Sequence, residues 1–206
     1  IATKTGIDRY NGREVKNYDL PGDFYYSDMA GRKLQLLISP QHGLWAYDHT
    51  GRIFNYSVQN DCFELMLSLD QFIDGEIILN KLCLDHNGIL WMGLGKGLYK
   101  RDISGGVYPV VSGHYVNDII STDESIFVST SMGVFQLGHS QLSKENWLVK
   151  DKNAQTLFCD VANDRLWIGT FNNGLWVMDL SNNNLYPIEG LSSSFFNPIR
   201  DITKYN

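Results

Sequence analysis

Residues 93–97, Gly-Leu-Gly-Lys-Gly, have the composition of a phosphate cradle, in which glycine backbone approaches an anion and lysine supplies the charge. The chemistry needs that loop to open a helix, with Ser or Thr after the Gly-Lys pair. Here the next residues are Gly97, Leu98 and Tyr99, and the segment runs on as an apolar strand. A phosphate site is therefore not expected. Metal chemistry fares no better. His42, His49, His86, His114 and His139 form no His-x-His, His-x-x-x-His or His-Glu-x-x-His spacing. His49 and His86 follow aspartates in Asp-His-x-Gly, which reads as a turn. Cys62, Cys83 and Cys159 are odd in number and lack a Cys-x-x-Cys pair, so they read as buried thiols. No Gly-x-Ser-x-Gly occurs, and the arginines do not recur at matched positions as a carboxylate-binding cluster would. Catalytic residues, metal ligands and cofactors are expected to be none.

The same stretch gains meaning from its copies. Gly97-Leu-Tyr recurs as Gly6-Ile-Asp, Gly43-Leu-Trp, Gly133-Val-Phe and Gly174-Leu-Trp. Upstream, "ILWMGLGKG" (89–97) matches "RLWIGTFNNG" (165–174), "SIFVSTSMG" (125–133) and, more faintly, "LQLLISPQHG" (34–43). Trp91 and Trp167 align with Phe127 and Leu37. Cys83 and Cys159 align with Ile119 and Met29, which favours packing over thiol chemistry. Repeats should be recognised before local structure is assigned. Each unit reads as four short antiparallel strands joined by Gly- and Asn-containing turns, the pattern of a propeller blade. No amphipathic helical segment of 10–15 residues separates the strands, so an alternating βαβ fold is not expected.

The expected fold is an all-β β-propeller of four complete four-stranded blades and two half blades, about five blade equivalents in a fold that holds four to eight. Boundaries fall at 1–20 (half blade), 21–77, 78–112, 114–152, 154–190 and 191–206 (half blade). The two halves could pair and close a ring, or both could be edges of a longer array. An end that cuts a unit in mid-strand favours the array. The second unit is long, and its surplus lies near 58–77, where "CFELMLSL" suits a longer outer strand or a short helix.

Composition bounds the partners. Apolar residues make up 43%, charged residues 19% and aromatics 13%, and the formal net charge is −6. That balance excludes a phosphate-neutralising nucleic-acid surface. No apolar run approaches the ~20 residues of a membrane span, so no direct membrane contact is expected. The opening "IATKTGIDRY" lacks the order of a signal peptide.

The consensus, V-x-x-I-x-x-D-x-x-G-x-L-W-I-G-T-x-x-G-L-x-x-Y/F-D, resembles the two-component regulator propeller repeat. Residues 80–102 and 156–180 match best, 1–12 carry its second half, and 22–48 are weakest. The resemblance implies a non-catalytic periplasmic sensor segment of a sensor histidine kinase, often a hybrid sensor of gut Bacteroidetes that responds to glycans. It implies the periplasmic side of the inner membrane, an oligosaccharide or other small ligand, and docking to other propeller domains of the receptor or to a second copy as a homodimer. A propeller enzyme acting on a sugar or lactone, and a purely structural interaction propeller, remain as alternatives.

The ligand-binding candidates are the turns between second and third strands. These hold Lys4 and Thr5, Gln41 and His42, Lys96, Ser131 and Met132, and Asn172 and Asn173. They vary where the rest of the motif repeats, and their amide, hydroxyl and amine groups suit a hydroxyl-rich ligand. Trp45, Trp91, Trp167 and Trp176 fall on repeated strand positions that suit packing, with sugar stacking as the rival role. Trp147, in an outer strand, is expected to be more exposed.

Overall fold

The computed structural model describes residues 1–3, 6–21, 34–39, 41–138, 141–189 and 198–203, with backbone alone for 141–144. Lys4, Thr5, Met29 and His139 lie outside the described residues, as do the expected strand positions within 22–33 and 190–197. The chain divides into two compact units, Ile1–Leu82 and Cys83–Asn206.

Strands account for nearly all regular structure. A hairpin of β1 (Ile7–Tyr10) and β2 (Val15–Tyr18) comes first, followed by a sheet of β3 (Gln35–Ser39), β4 (Gly43–Tyr47), β5 (Arg52–Ser57) and β6 (Cys62–Ser68). The next sheet holds β7 (Leu79–Leu84), β8 (Leu90–Leu94), β9 (Gly97–Arg101) and β10 (Val107–Ser112). Then come β11 (Val116–Ser121), β12 (Ser125–Thr130), β13 (Gly133–Gly138) and β14 (Gln141–Lys150). The last sheet holds β15 (Ala154–Asp160), β16 (Arg165–Thr170), β17 (Leu175–Asp179) and β18 (Asn184–Pro187). In every sheet, strands adjacent in sequence are adjacent in space. Helix among the described residues is confined to two 3-10 turns, Leu69–Gln71 and Val161–Asn163. The long second repeat contains an added strand. β6 pairs with β5 from Ser57↔Cys62 to Arg52↔Ser68, with a bulge between Ile53 and Phe54.

The glycines are explained by close approach. A Cβ on Gly97, Gly133 or Gly6 would stand 2.2, 2.0 or 2.4 Å from the carbonyl oxygen of Val111, Val149 or Tyr18 in the neighbouring strand. No side chain fits there. Gly93 and Gly169 close the two Leu-Trp-x-Gly motifs; Gly93 faces the next sheet, and Gly169 meets its own neighbour strand and the segment of Ile199. A Cβ on Gly93 would lie 2.6 Å from Val116, and one on Gly169 2.6 Å from Ile199 and 2.7 Å from Thr156.

In the second unit the apolar faces of successive sheets bury one another. Trp91, Leu98, Val116, Ile119, Val128 and Phe135 form one cluster, and Phe127, Val134, Ala154, Leu157 and Ile168 another. A carboxylate reinforces the second seam. Buried Asp118 on β11 accepts the Leu157 N–H at 2.9 Å and the Thr156 hydroxyl at 3.2 Å, both from β15. Burial of a carboxylate is tolerable because backbone and hydroxyl donors replace its water.

Three sequence readings need correction. Trp91 is wholly buried, but Trp167 at the same repeat position is only half-buried. None of the three cysteines is in a disulfide, and all are half-buried rather than enclosed. Cys83 and Cys159 pack on the two seam clusters, as a packing role requires. Trp147 is half-buried as well, edge-on to Phe135 at 5.3 Å, with its indole N–H donating to Glu145 at 2.8 Å.

Candidate functional site

The sequence-predicted residues occupy the turns expected of them. Gln41 and His42 are exposed between β3 and β4 in the first unit. In the second unit, Lys96 is half-buried between β8 and β9, and Ser131 half-buried with Met132 exposed between β12 and β13. Asn172 and Asn173 are exposed between β16 and β17. Backbone bonds tie these turns to the ends of neighbouring strands. The Ser131 N–H donates to Tyr115, the Phe171 N–H to Asn153, and the Lys96 and Met132 carbonyls accept from Gly113 and Asp151. In the second unit the turns thus share an end of their sheets with the starts of β11 and β15.

Two of the tryptophans belong to these turns rather than to the core alone. The Trp45 indole N–H donates to the His42 carbonyl at 3.0 Å, and that of Trp176 to the Asn173 carbonyl at 2.8 Å. Each indole shapes the turn that carries candidate residues and stays partly open to solvent. The Lys152 ammonium lies 3.9 Å from the centre of the Trp176 ring.

Sequence reading missed the amides beside these turns. Asn117 Nδ2 donates to the Ala154 carbonyl at 2.6 Å, and Gln155 Nε2 to Asn153 Oδ1 at 2.7 Å. A signal was present. The second residue of "LNKL", "VNDI", "AQTL" and "IRDI" is Asn80, Asn117, Gln155 and Arg200, a repeated position that carries a polar side chain in all four.

A second constellation, in the first unit, also escaped notice. Asp61 sits with positive φ between β5 and β6 and accepts from Tyr18 at 2.7 Å, Tyr56 at 2.5 Å and Lys16, with Arg9 at 3.7 Å. The Lys16 bond first, then those from Tyr56 and Tyr18, hold its carboxyl well below the usual range. The same carboxylate holds the Tyr56 phenol well above its ordinary value. A phenol kept protonated is a poor nucleophile. The arrangement acts as a staple between β2 and the β5–β6 hairpin. Its partners are more than 40 residues apart in sequence, and no local motif announces them.

Among the described residues no group of three or more His, Cys, Asp or Glu side chains could hold a metal, and no helix is long and apolar enough to cross a membrane.

No protein-family profile and no curated protein matches the sequence. Solved structures match in fold. The extracellular domain of a protein described as a hybrid two-component system of B. thetaiotaomicron aligns with a TM-score of 0.71 at 18% identity, over 95% of this chain and 28% of that one. A second such domain from the same organism gives 0.69 at 19% identity, over 91% and 27%. The chain has the fold of these extracellular domains. PorZ, a surface component of the type-IX secretion system of Porphyromonas gingivalis, gives 0.66 at 12% identity, over 94% and 32%. The likeness to two-component propeller repeats is thus borne out at the level of fold. The chain spans little more than a quarter of the length of the two-component domains it matches.

Proposed function

We propose that this chain is a non-catalytic segment of an extracytoplasmic sensor region, and that the strand-joining turns of its blades meet a hydroxyl-rich, glycan-derived ligand. The supporting observation is the fold shared with extracellular domains of hybrid two-component systems over 91–95% of the chain. The parent is then a periplasm-facing, membrane-anchored histidine kinase. Further propeller domains of the same receptor, or a second copy of it, are its protein partners. The turns suit the ligand class because exposed amides and an imidazole flank partly open indoles, and sugars are held by such a pairing of a flat apolar face with directed polar groups.

A glycan array on the intact sensor domain, followed by calorimetric titration of any ligand found, tests this reading. Asn172→Ala and His42→Ala are each expected to weaken binding. Unchanged affinity in both, with folding intact, moves the site elsewhere, first to the 58–77 segment that carries β6.

A further inference from the structure

At one end of the second unit, amides, an indole and cations are joined by hydrogen bonds and short contacts. Asn117 and Gln155 occupy the same repeat position on β11 and β15. Asn117 donates to the Ala154 carbonyl and Gln155 to Asn153 Oδ1. That fixes the amide planes. Among the described residues no donor is placed on Asn117 Oδ1 or Gln155 Oε1, and each can accept from a ligand hydroxyl. Asn153 in turn accepts the Phe171 N–H at 2.8 Å, which brings the Asn172–Asn173 turn and Trp176 to the same end. Arg200 takes the equivalent repeat position in the segment 198–203. It is exposed, and its neighbour Ile199 donates its N–H to Thr170 at 3.0 Å. A Cβ on Gly169 would meet both Thr156 and Ile199, so the residues next to Gln155 and Arg200 converge on one glycine.

Two cations stand at this end of the second unit. Lys152 lies on the Trp176 ring, and the exposed Arg200 follows Ile199, whose N–H reaches Thr170. The carboxylates of Asp151 and Asp201 are adjacent in sequence to these cations. An exposed cation–π contact is weak enough for Lys152 to exchange it for an ion pair, which would leave a ring face for a sugar. Arginine adds a planar fork that matches a carboxylate or sulfate.

We propose that this end of the second unit binds an acidic oligosaccharide. Asn117 and Gln155 accept from its hydroxyls, Trp176 lies under a sugar ring, and Lys152 and Arg200 hold its carboxylate or sulfate groups. This rests on the glycan-sensor reading and specifies the class of glycan.

The test is calorimetric titration of the full chain with trigalacturonate and a heparin-derived tetrasaccharide, against neutral maltotriose and xylotriose, at low and high salt. At least one acidic probe is expected to bind, more weakly at high salt, while the neutral probes do not. Lys152→Gln and Arg200→Gln should each lower that affinity about tenfold or more with an unchanged thermal midpoint. Binding confined to the neutral probes overturns the acidic assignment and leaves the glycan reading standing. Binding of none of the four overturns the assignment, and the array then decides the glycan reading. Acidic binding that survives both glutamine variants overturns the site.

Discussion

Trp91 and Trp167 stand at the same point of two repeats, yet one is wholly buried and the other only half-buried. Six residues earlier lie Asp85 and Val161. Asp85 accepts the Trp91 indole N–H at 2.9 Å on one carboxylate oxygen and the Asn87 and Ile89 N–H groups on the other. Val161 offers no acceptor and is itself exposed. The two turns have the same backbone frame, with Gly88 N–H donating to Asp85 and Asp164 N–H to Val161, and with positive φ at both Gly88 and Asp164. The difference therefore belongs to one side chain. A buried indole needs an acceptor for its N–H, and where none exists the ring stays near water.

The largest break in this comparison is truncation of the rings. Trp91→Ala should cost roughly 3–5 kcal/mol, because a fully enclosed ring leaves a cavity. Trp167→Ala should cost about 1–3 kcal/mol, since less surface leaves water. Urea denaturation reads both, and equal losses would show that burial does not separate the two sites.

Exchange of the acceptor comes next. Asp85→Ala leaves the indole and two turn amides without their partner and should cost about 2–3 kcal/mol. Val161→Asp should do the reverse, gaining about 1 kcal/mol and reducing the solvent quenching of Trp167 fluorescence. A Val161→Asp protein no more stable than the parent would break the equivalence of the two turns.

The smallest effect is a titration. Asp102 and Asp179 end the third strands of these same blades and accept from the Ser104 and Ser181 hydroxyls and nearby backbone amides. The Ser104 hydroxyl bond in one and the Ser181 hydroxyl bond in the other lead the causes that lower both carboxyls below the ordinary carboxylate value. A depressed folded-state value contributes stability above the unfolded value, and that contribution fades as pH falls through the folded one. Carboxyl NMR titration should show both groups protonating below the ordinary aspartate value. A normal titration in either would mean that its turn is not held by the carboxylate.

The repeat was legible because it is local. Leu-Trp-x-Gly, the turn and the Gly-apolar strand fall within about ten consecutive residues, and alternation along so short a run fixes which face is buried. The reason for Gly97 and Gly133 was less legible. Turn chemistry explains a positive φ, but the carbonyl that excludes a Cβ belongs to the following strand. The candidate turns could be placed from sequence, whereas the meeting of Asn117 with the start of β15 required the packing of two sheets across a seam. The Asp61 staple was out of reach for the same reason, since its donors come from β2 and β5. The fate of β6 was undecided in sequence because "CFELMLS" alternates imperfectly, and its bulge against β5 is where the alternation slips.

Asp118 has a consequence for how the chain opens. In a repeat array, stability divides between what each unit supplies alone and what each interface adds. Most seams add apolar contact, which weakens by degrees as surfaces separate. Here the seam also holds a buried carboxylate that accepts from the Ile119 amide of its own strand at 2.9 Å and takes two more donors, the Leu157 amide and the Thr156 hydroxyl, from the other blade. Partial separation removes the two donors of the other blade from that carboxylate before water replaces them, so partly opened states carry a penalty that neither the closed nor the fully parted state bears. The two blades are thereby coupled in an all-or-none manner, and hydrogen exchange at the Leu157 amide registers the loss of its neighbour as well as the melting of its own sheet.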